Sequence, residues 1–390
     1  MKEKYKVIEI KLNRNLDNKE IKIIEELGKR YSKEDLFFQI DGDKILFNLR
    51  TIDLNSFKNS INSLSEKYNY SPREQNVFLE LIEKIEGIKS YGIKAGKRIY
   101  VDYDKERKVQ DRQKKILQRG MFFYARDNNF TKEVNEVPNE FVNKIICGDS
   151  EQVLKKLPAN CVDLIFTSPP YNFGLGYDTT EDGIDWNKYF DKLFAIFKEC
   201  IRVLKFGGRI IVNVQPLFSD YIPIHHIISN FFMQNKLIWK GEIIWDKHNY
   251  NCKYTAWGSW KSPSNPYLKY TWEFLEIFCK GDIKHKGSSN ESDITGEEFK
   301  KWIYAKWDIA PERNMKKYDH PAMFPEELVT RVLKLFSFKN DFILDPFNGV
   351  GSTTLVAKKL GRRFLGIDIS EKYCKTAEKR IKELLDNFPS

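Results

Sequence analysis

Several common features are missing from this sequence of 390 residues, and each absence narrows what the chain can be. Six cysteines are present (Cys147, Cys161, Cys200, Cys252, Cys279 and Cys374), none in a CxxC pair, so neither a zinc ribbon nor a disulfide scaffold is indicated. No uninterrupted apolar run approaches the roughly 20 residues of a membrane span, and mean hydropathy is −0.53. The opening MKEKYKVIEI is charged and lacks the apolar core of a signal peptide, so a soluble, cytoplasmic chain with no membrane partner is expected. There are no internal repeats and no low-complexity tracts. Disorder is excluded too, because 41% of residues are hydrophobic and 14% aromatic, enough for a large core.

What is present begins with charge. Sixty-five Lys and Arg against 55 Asp and Glu give a net charge of +10 and a pI of about 9.0. Such a surplus suits a polyanionic partner, most simply nucleic acid, and equally suits the Lys-, Asn- and Ile-rich output of an AT-rich genome. The densest basic stretch is 94–119, with ten basic and four acidic residues. It can track a phosphate backbone or form a solvated helix face.

Apolar patterning divides the chain. Over 1–66 it predicts a strand (KYKVIEIKL), a helix after Asp17 and Asn18, a hairpin around Asp41-Gly42-Asp43 and a second helix, and 72–86 predicts another. The polar segment 127–140 reads as a linker. From 141 onward short β-rich runs (FVNKIICGDS, CVDLIFTSPPY, GGRIIVNVQ, LIWKGEIIWDK, FLEIFCK, DFILDPFNGVG, RRFLGIDIS) alternate in places with helical stretches. That pattern predicts an α/β fold with a Rossmann-like, doubly wound, mostly parallel sheet, preceded by an extra N-terminal mixed α/β domain.

Two motifs carry chemistry. In FILDPFNGVGSTTLVAKKLGRRFLGIDIS a strand ends at Asp345-Pro346-Phe347, Gly349 and Gly351 follow, a helix opens at Ser352, and a second strand ends at Asp368. Glycines serve where backbone must approach a ligand, and an acid at the second strand's end accepts ribose hydroxyls, so an adenosine-type cofactor is expected. Thr354 replaces the third glycine of GxGxxG, which disfavours NAD and FAD. The second motif is Thr167-Ser168-Pro169-Pro170-Tyr171 after the strand VDLIF. The proline pair stops the strand and fixes its carbonyls at the sheet edge. A planar amine there can donate to the Ser168 hydroxyl and the Pro169 carbonyl, and Tyr171 offers a ring for stacking. The plain alternative is a proline turn with a packed tyrosine.

Taken together, SPPY, DPFNGVG and GIDIS resemble the amino-methylating DNA methyltransferases. SPPY precedes the glycine motif by about 175 residues, the order of the circularly permuted beta class. The likeness covers about 141–385, and CGDSEQVLKKLPANCVDLIF, EIIWDKHN, WGSWKSPSNPYLKYTWEFLEIF and WDIAPE with HPAMFPEEL extend it. It implies a methyltransferase fold, S-adenosyl-L-methionine as cofactor, and double-stranded DNA as substrate and partner. In this family a serine leading the motif usually accompanies cytosine N4 and an aspartate adenine N6, so Ser168 implies an N4-cytosine enzyme. Residue by residue, it implies that Ser168, Pro169, Pro170 and Tyr171 hold a flipped base. Asp345, Phe347, Gly349 and Gly351 line the cofactor, Asp368 takes its ribose, Asp149 stands near its adenine, and His320, Pro321 and Phe324 line its methionine end. For Asp149 and the His320 group, capping or packing is an open alternative.

The domains expected are 1–130, an accessory unit with a DNA-binding role to be tested, and 141–390, the catalytic unit, with a target-recognition insertion at about 247–315. Trp257, Trp260 and Lys261 in that insertion are expected on the DNA side. No metal and no covalent intermediate are required, since the methyl is already activated. Cytosine C5 methylation, which needs a cysteine typically presented after proline, is disfavoured because no Pro-Cys dipeptide occurs. Competing readings are an N6-adenine enzyme and a non-catalytic DNA-binding relative. A restriction endonuclease is a plausible genetic partner; the sequence is silent on oligomeric state.

Overall fold

The computed structural model describes residues 5–72, 75–88, 92–94, 96–100, 112–172, 183–216, 221–248, 260–313 and 315–387. The chain forms two compact units, Met1–Arg119 and Gly120–Ser390. Among the described residues no helix is long and apolar enough to cross a membrane.

In the first unit β1 (Lys6–Lys11), β2 (Leu36–Asp41) and β3 (Lys44–Leu49) form an antiparallel sheet in the order β1-β3-β2. The β2–β3 turn falls at Gly42, whose φ of +58° suits glycine. The helix Asn18–Arg30 starts at Asp17 in a reciprocal capping box with Glu20. Helices Leu54–Lys67 and Val77–Gly87 complete a core that includes Ile23, Leu27, Phe47, Phe57, Leu64 and Ile85. Short strands β4 (Thr51–Ile52), β5 (Gly92–Lys94) and β6 (Lys97–Ile99) form a second sheet, and a helix spans Arg112–Arg119. The stretch 101–111 of the basic run lies outside the described residues.

The second unit is built on eight strands: β7 (Lys144–Cys147), β8 (Val162–Thr167), β9 (Leu204–Val214), β10 (Ile238–Asp246), β11 (Trp272–Cys279), β12 (Lys306–Asp308), β13 (Phe342–Asp345) and β14 (Arg363–Asp368). Their order is β12-β10-β11-β9-β8-β13-β14-β7. Among the described residues every pairing in this sheet is parallel except the two made by β11, which runs backwards. β8 and β13 are buried along their whole length, which is why they read as continuous apolar runs. Helices Trp186–Val203 and Ile224–Gln234 pack with one cluster, around Phe197, Phe232 and Phe278. The helix Glu326–Phe336 packs with another, around Leu164, Ile211 and Ile343. This is the doubly wound α/β architecture expected.

Two details differ from expectation. The segment 127–140 is not a free linker: Val137 is buried in the second unit's core with Phe141, and Asn135 bonds the loop at Asn160 and Ala159. The segment 247–315 is not one insertion, because it contains β11 and β12 of the central sheet. Trp307 is buried beneath it and donates Nε1–H to the Trp302 carbonyl at 2.9 Å.

Candidate active site

In a parallel sheet the loops that follow the strands share one edge, and ligands bind where the winding reverses. Here that edge encloses a cavity of about 790 Å³. Asp149 enters it after β7, Ser168 to Asn172 after β8, Asn213 and Gln215 from the end of β9, Lys247 after β10, Asp345 to Val350 after β13, and Asp368 to Ser370 after β14. The glycine motif and the proline corner, nearly 180 residues apart, therefore share one space. They also touch: Thr167 Oγ1, at the last residue of β8, donates to Asp345 Oδ1 at 2.6 Å across 178 positions.

The cradle side is made by backbone. Gly349 has φ +50°, and a Cβ there would stand 2.8 Å from His320 Nε2. Its N–H donates to Asp368 Oδ2 at 2.7 Å, and Ser370 N–H donates to Oδ1 at 2.9 Å. A carboxylate offers about four lone-pair sites, so an acid held by two backbone donors can also accept ribose hydroxyls. Asn348 is buried on the same wall, and among the described residues its Nδ2 has no partner, a donor left over for a ligand. Asp345 is buried, which pushes its carboxyl up to about 6 against the hydrogen bonds from Thr167 and from Phe347 N–H. The His320 ring packs on Tyr373 with centroids 4.6 Å apart, and burial depresses it to about 4, so it is neutral near pH 7. Its Nδ1 accepts from Ala322 N–H at 3.2 Å, which leaves the proton on Nε2. Phe324 lies stacked on Phe166 at 5.0 Å.

Gly351 is not among the residues lining the cavity. It has φ +83° at the start of the helix Ser352–Lys359, and a Cβ there would stand 2.8 Å from the Ala377 Cβ, so it serves helix packing. Asp149 does two things: it caps the helix Ser150–Leu154 through Gln152 N–H and faces the cavity, paired with Lys192 at 2.8 Å. Trp260 is 69% exposed, Lys261 is exposed as well, and neither lines the cavity; Trp257 lies outside the described residues.

On the corner side Pro169 is buried and Ser168 half-buried. Tyr189 Oη donates to the Pro170 carbonyl at 2.7 Å. Asn172, buried with φ +58°, accepts from the N–H groups of Gly183 and Ile184 and donates to the Ile184 carbonyl. The corner is thus held on both sides. Tyr171 Oη donates to Glu273 Oε1 at 3.1 Å. Glu273, Lys247 and Asn213 escape sequence reasoning. Only the reversed β11 brings Glu273 to this edge, and no local pattern announces that.

The residues present fit S-adenosyl-L-methionine: a left-over amide donor, an acid anchored by backbone at the end of β14, and a glycine where no side chain has room. Comparison with known proteins agrees. The family model described as DNA methylase (N6_N4_Mtase) matches residues 162–379. The type II methyltransferase M.HinfI of Haemophilus influenzae is 32% identical over 275 residues, covering 64% of this chain and 71% of its own. The DNA adenine methyltransferase YhdJ of Escherichia coli K12 is 30% identical over 261 residues, covering 63% of this chain and 85% of its own. Among solved structures, the Thermus thermophilus protein TTHA0409, solved with S-adenosyl-L-methionine, aligns at a TM-score of 0.51 with 26% identity, over 63% of this chain and 97% of that one. With the family model spanning more than half the chain and the cavity supplying what the cofactor needs, the chain belongs to the N6/N4 DNA methylase family and is an S-adenosyl-L-methionine-dependent DNA methyltransferase.

Proposed function

We propose that this enzyme methylates the N4 amine of a cytosine flipped out of duplex DNA at a specific site, within a restriction–modification system and beside a cognate endonuclease in the cytoplasm. The observation that carries the choice of base is Ser168, a neutral hydroxyl at the head of the proline corner, half-buried on the cavity wall. The alternative is adenine N6, favoured by the similarity to YhdJ, which is described as an adenine enzyme.

The target amine is buried in a duplex and must be extruded at a cost of a few kcal/mol. Stacking on Tyr171 returns about 1–3 kcal/mol of that. The amine is also a weak nucleophile, since its lone pair is delocalised into the ring. Its two N–H groups donate to the Ser168 hydroxyl and the Pro169 carbonyl, which draws the nitrogen toward tetrahedral geometry and frees the lone pair. These bonds strengthen as positive charge grows on nitrogen, so they raise rate rather than only affinity. When bound, the cofactor supplies a methyl group made electrophilic by a cationic sulfur. Asp368 is assigned its ribose, and Asp345, Phe347 and Gly349 its surroundings. Asp149 is assigned the adenine end, and His320 and Phe324 the methionine end. His320, neutral with its proton on Nε2, can meet a carboxylate without adding a charge that would repel a cation.

Target recognition is assigned to the non-strand parts of 247–315, with Trp257, Trp260 and Lys261 facing DNA, and the basic N-terminal unit shares the backbone contacts. Removing residues 1–119 is expected to leave cofactor affinity unchanged and to weaken DNA binding several-fold with a shallower salt dependence; unchanged DNA affinity removes that unit from the account. The experiment for the base is single-position mapping of modified bases in DNA from cells expressing the chain, with nucleoside mass spectrometry. N4-methylcytosine at one sequence is expected; N6-methyladenine establishes the alternative.

A further inference from the structure

At the sheet edge facing the corner, three adjacent strands each deliver one polar side chain to a single point. β9 supplies Asn213, β10 is followed by Lys247, and β11 supplies Glu273, whose register partner on β10 is Trp245. Because β11 runs backwards, its beginning rather than its end lies here, and Glu273 is only its second residue.

Glu273 is 2% exposed. A carboxylate so buried is tolerated only when its lone pairs are served by charge and hydrogen bonds. Lys247 Nζ donates to Oε1 and Asn213 Nδ2 to Oε2. Lys247 also stands over the Trp245 ring, 5.0 Å from its centroid, and Trp245 Nε1–H is tied to the Ile309 carbonyl at 2.8 Å. The carboxylate is therefore fixed from two strands, and its remaining bond in this network is the one from Tyr171 Oη at 3.1 Å.

Tyr171 itself is fixed at only one end by the corner. Pro169-Pro170, the Tyr189 bond and the Asn172 turn locate its backbone. The Glu273 bond restrains the far end, so the long axis of the ring is fixed and with it the place through which the ring plane passes. That plane is the surface on which the extruded base would lie, and a misplacement of about 1 Å at a reacting centre costs on the order of a hundredfold in rate.

We propose that Glu273, held by Lys247 and Asn213, is a positioning residue for methyl transfer: it anchors the hydroxyl end of Tyr171 and so fixes where the target base stacks. This rests on the corner being the base pocket. The test is a double-variant cycle in the full-length enzyme, with cofactor and duplex DNA containing its mapped site, read as single-turnover transfer rate, with cofactor affinity and Tm measured alongside. Tyr171→Phe and Glu273→Gln are each expected to slow transfer about tenfold, the scale of one charge-assisted hydrogen bond, with cofactor affinity within about twofold. In the Tyr171→Phe background, Glu273→Gln is expected to add less than about twofold, because the bond is already gone. Effects that multiply in the double variant overturn the proposal. If Glu273→Gln does not fold, Tyr171→Phe still decides, since it leaves the cluster intact: an unchanged transfer rate overturns the proposal. Wild-type enzyme that methylates no exocyclic amine defeats the functional reading itself; wild-type activity with an additive cycle defeats only the role of Glu273.

Discussion

The two walls of the cavity are built by different means. The cradle wall is local: Asp345, Asn348, Gly349 and Asp368 come from one strand–turn–helix–strand unit, and its geometry is set by backbone N–H groups and a glycine in the left-handed region. The corner wall is assembled from a distance. Its prolines are local, but the partner of Tyr171, Glu273, comes from β11, 102 residues away, and is itself held by Asn213 of β9 and by Lys247 after β10. A backbone-made wall binds by shape and fails when a side chain is added; a network-made wall orients and fails when a partner is removed. Substitutions on one wall should therefore affect cofactor binding, and on the other, transfer.

The sharpest way to break this contrast lies at the corner. Ser168→Ala is expected to cut single-turnover transfer by about a hundredfold or more, the scale for losing one preorganised transition-state partner, while cofactor affinity measured by calorimetry stays within about twofold. Equal losses of both merge the two walls into one. Next is Gly349→Ala. The added Cβ meets His320 Nε2 at 2.8 Å with the backbone at φ +50°, so cofactor affinity is expected to fall by tenfold or more. Gly351→Ala should behave differently from its neighbour although the two are alike in sequence. Its Cβ meets Ala377, so a loss of about 1–3 kcal/mol in unfolding free energy is expected, partly restored by Ala377→Gly. A Gly351→Ala enzyme of wild-type stability contradicts its packing role.

The smallest effect concerns Asp345. Its carboxyl is raised by burial to about 6, so in the folded protein it holds its proton more tightly than in the unfolded chain. The stability it contributes is fully present below the ordinary carboxylate range and is lost as pH rises through about 6. Asp345→Asn lacks that titration. The Tm difference, variant minus wild type, is therefore expected to rise between about pH 4 and 6 and to level off above it. A flat difference across that range contradicts the buried-acid reading.

The same contrast explains what could be read in advance. Strands β8, β13 and β14 and the turn between the last two announce themselves in neighbouring residues, by apolar runs, glycines and a terminal acid. So does the proline corner, because a proline pair dictates its own backbone. Gly351 shows the limit: glycine marks a backbone need without saying whether a ligand or the helix Glu371–Asn387 imposes it. β12, three residues long, carries no periodicity to detect. The Glu273 cluster is hidden for a stronger reason. Along β11 a glutamate beside a tryptophan looks like any strand position, and its meaning comes from the reversal that lays it beside β9 and β10. The loop 127–140 misleads by its polarity, although Val137 and the adjoining Phe141, with Phe130 and the Asn135 bonds, hold it to the core.

The central claim is that the corner and the cradle serve one reaction in one cavity. The most direct measurement is a crystal structure of the enzyme with a non-reactive cofactor analogue and duplex DNA carrying the mapped site. The account predicts an extruded cytosine stacked on Tyr171, its amine within hydrogen-bonding distance of Ser168 Oγ and the Pro169 carbonyl, and the analogue against Gly349 and Asp368. An extruded base bound outside this cavity, or an analogue seated away from Gly349, contradicts it.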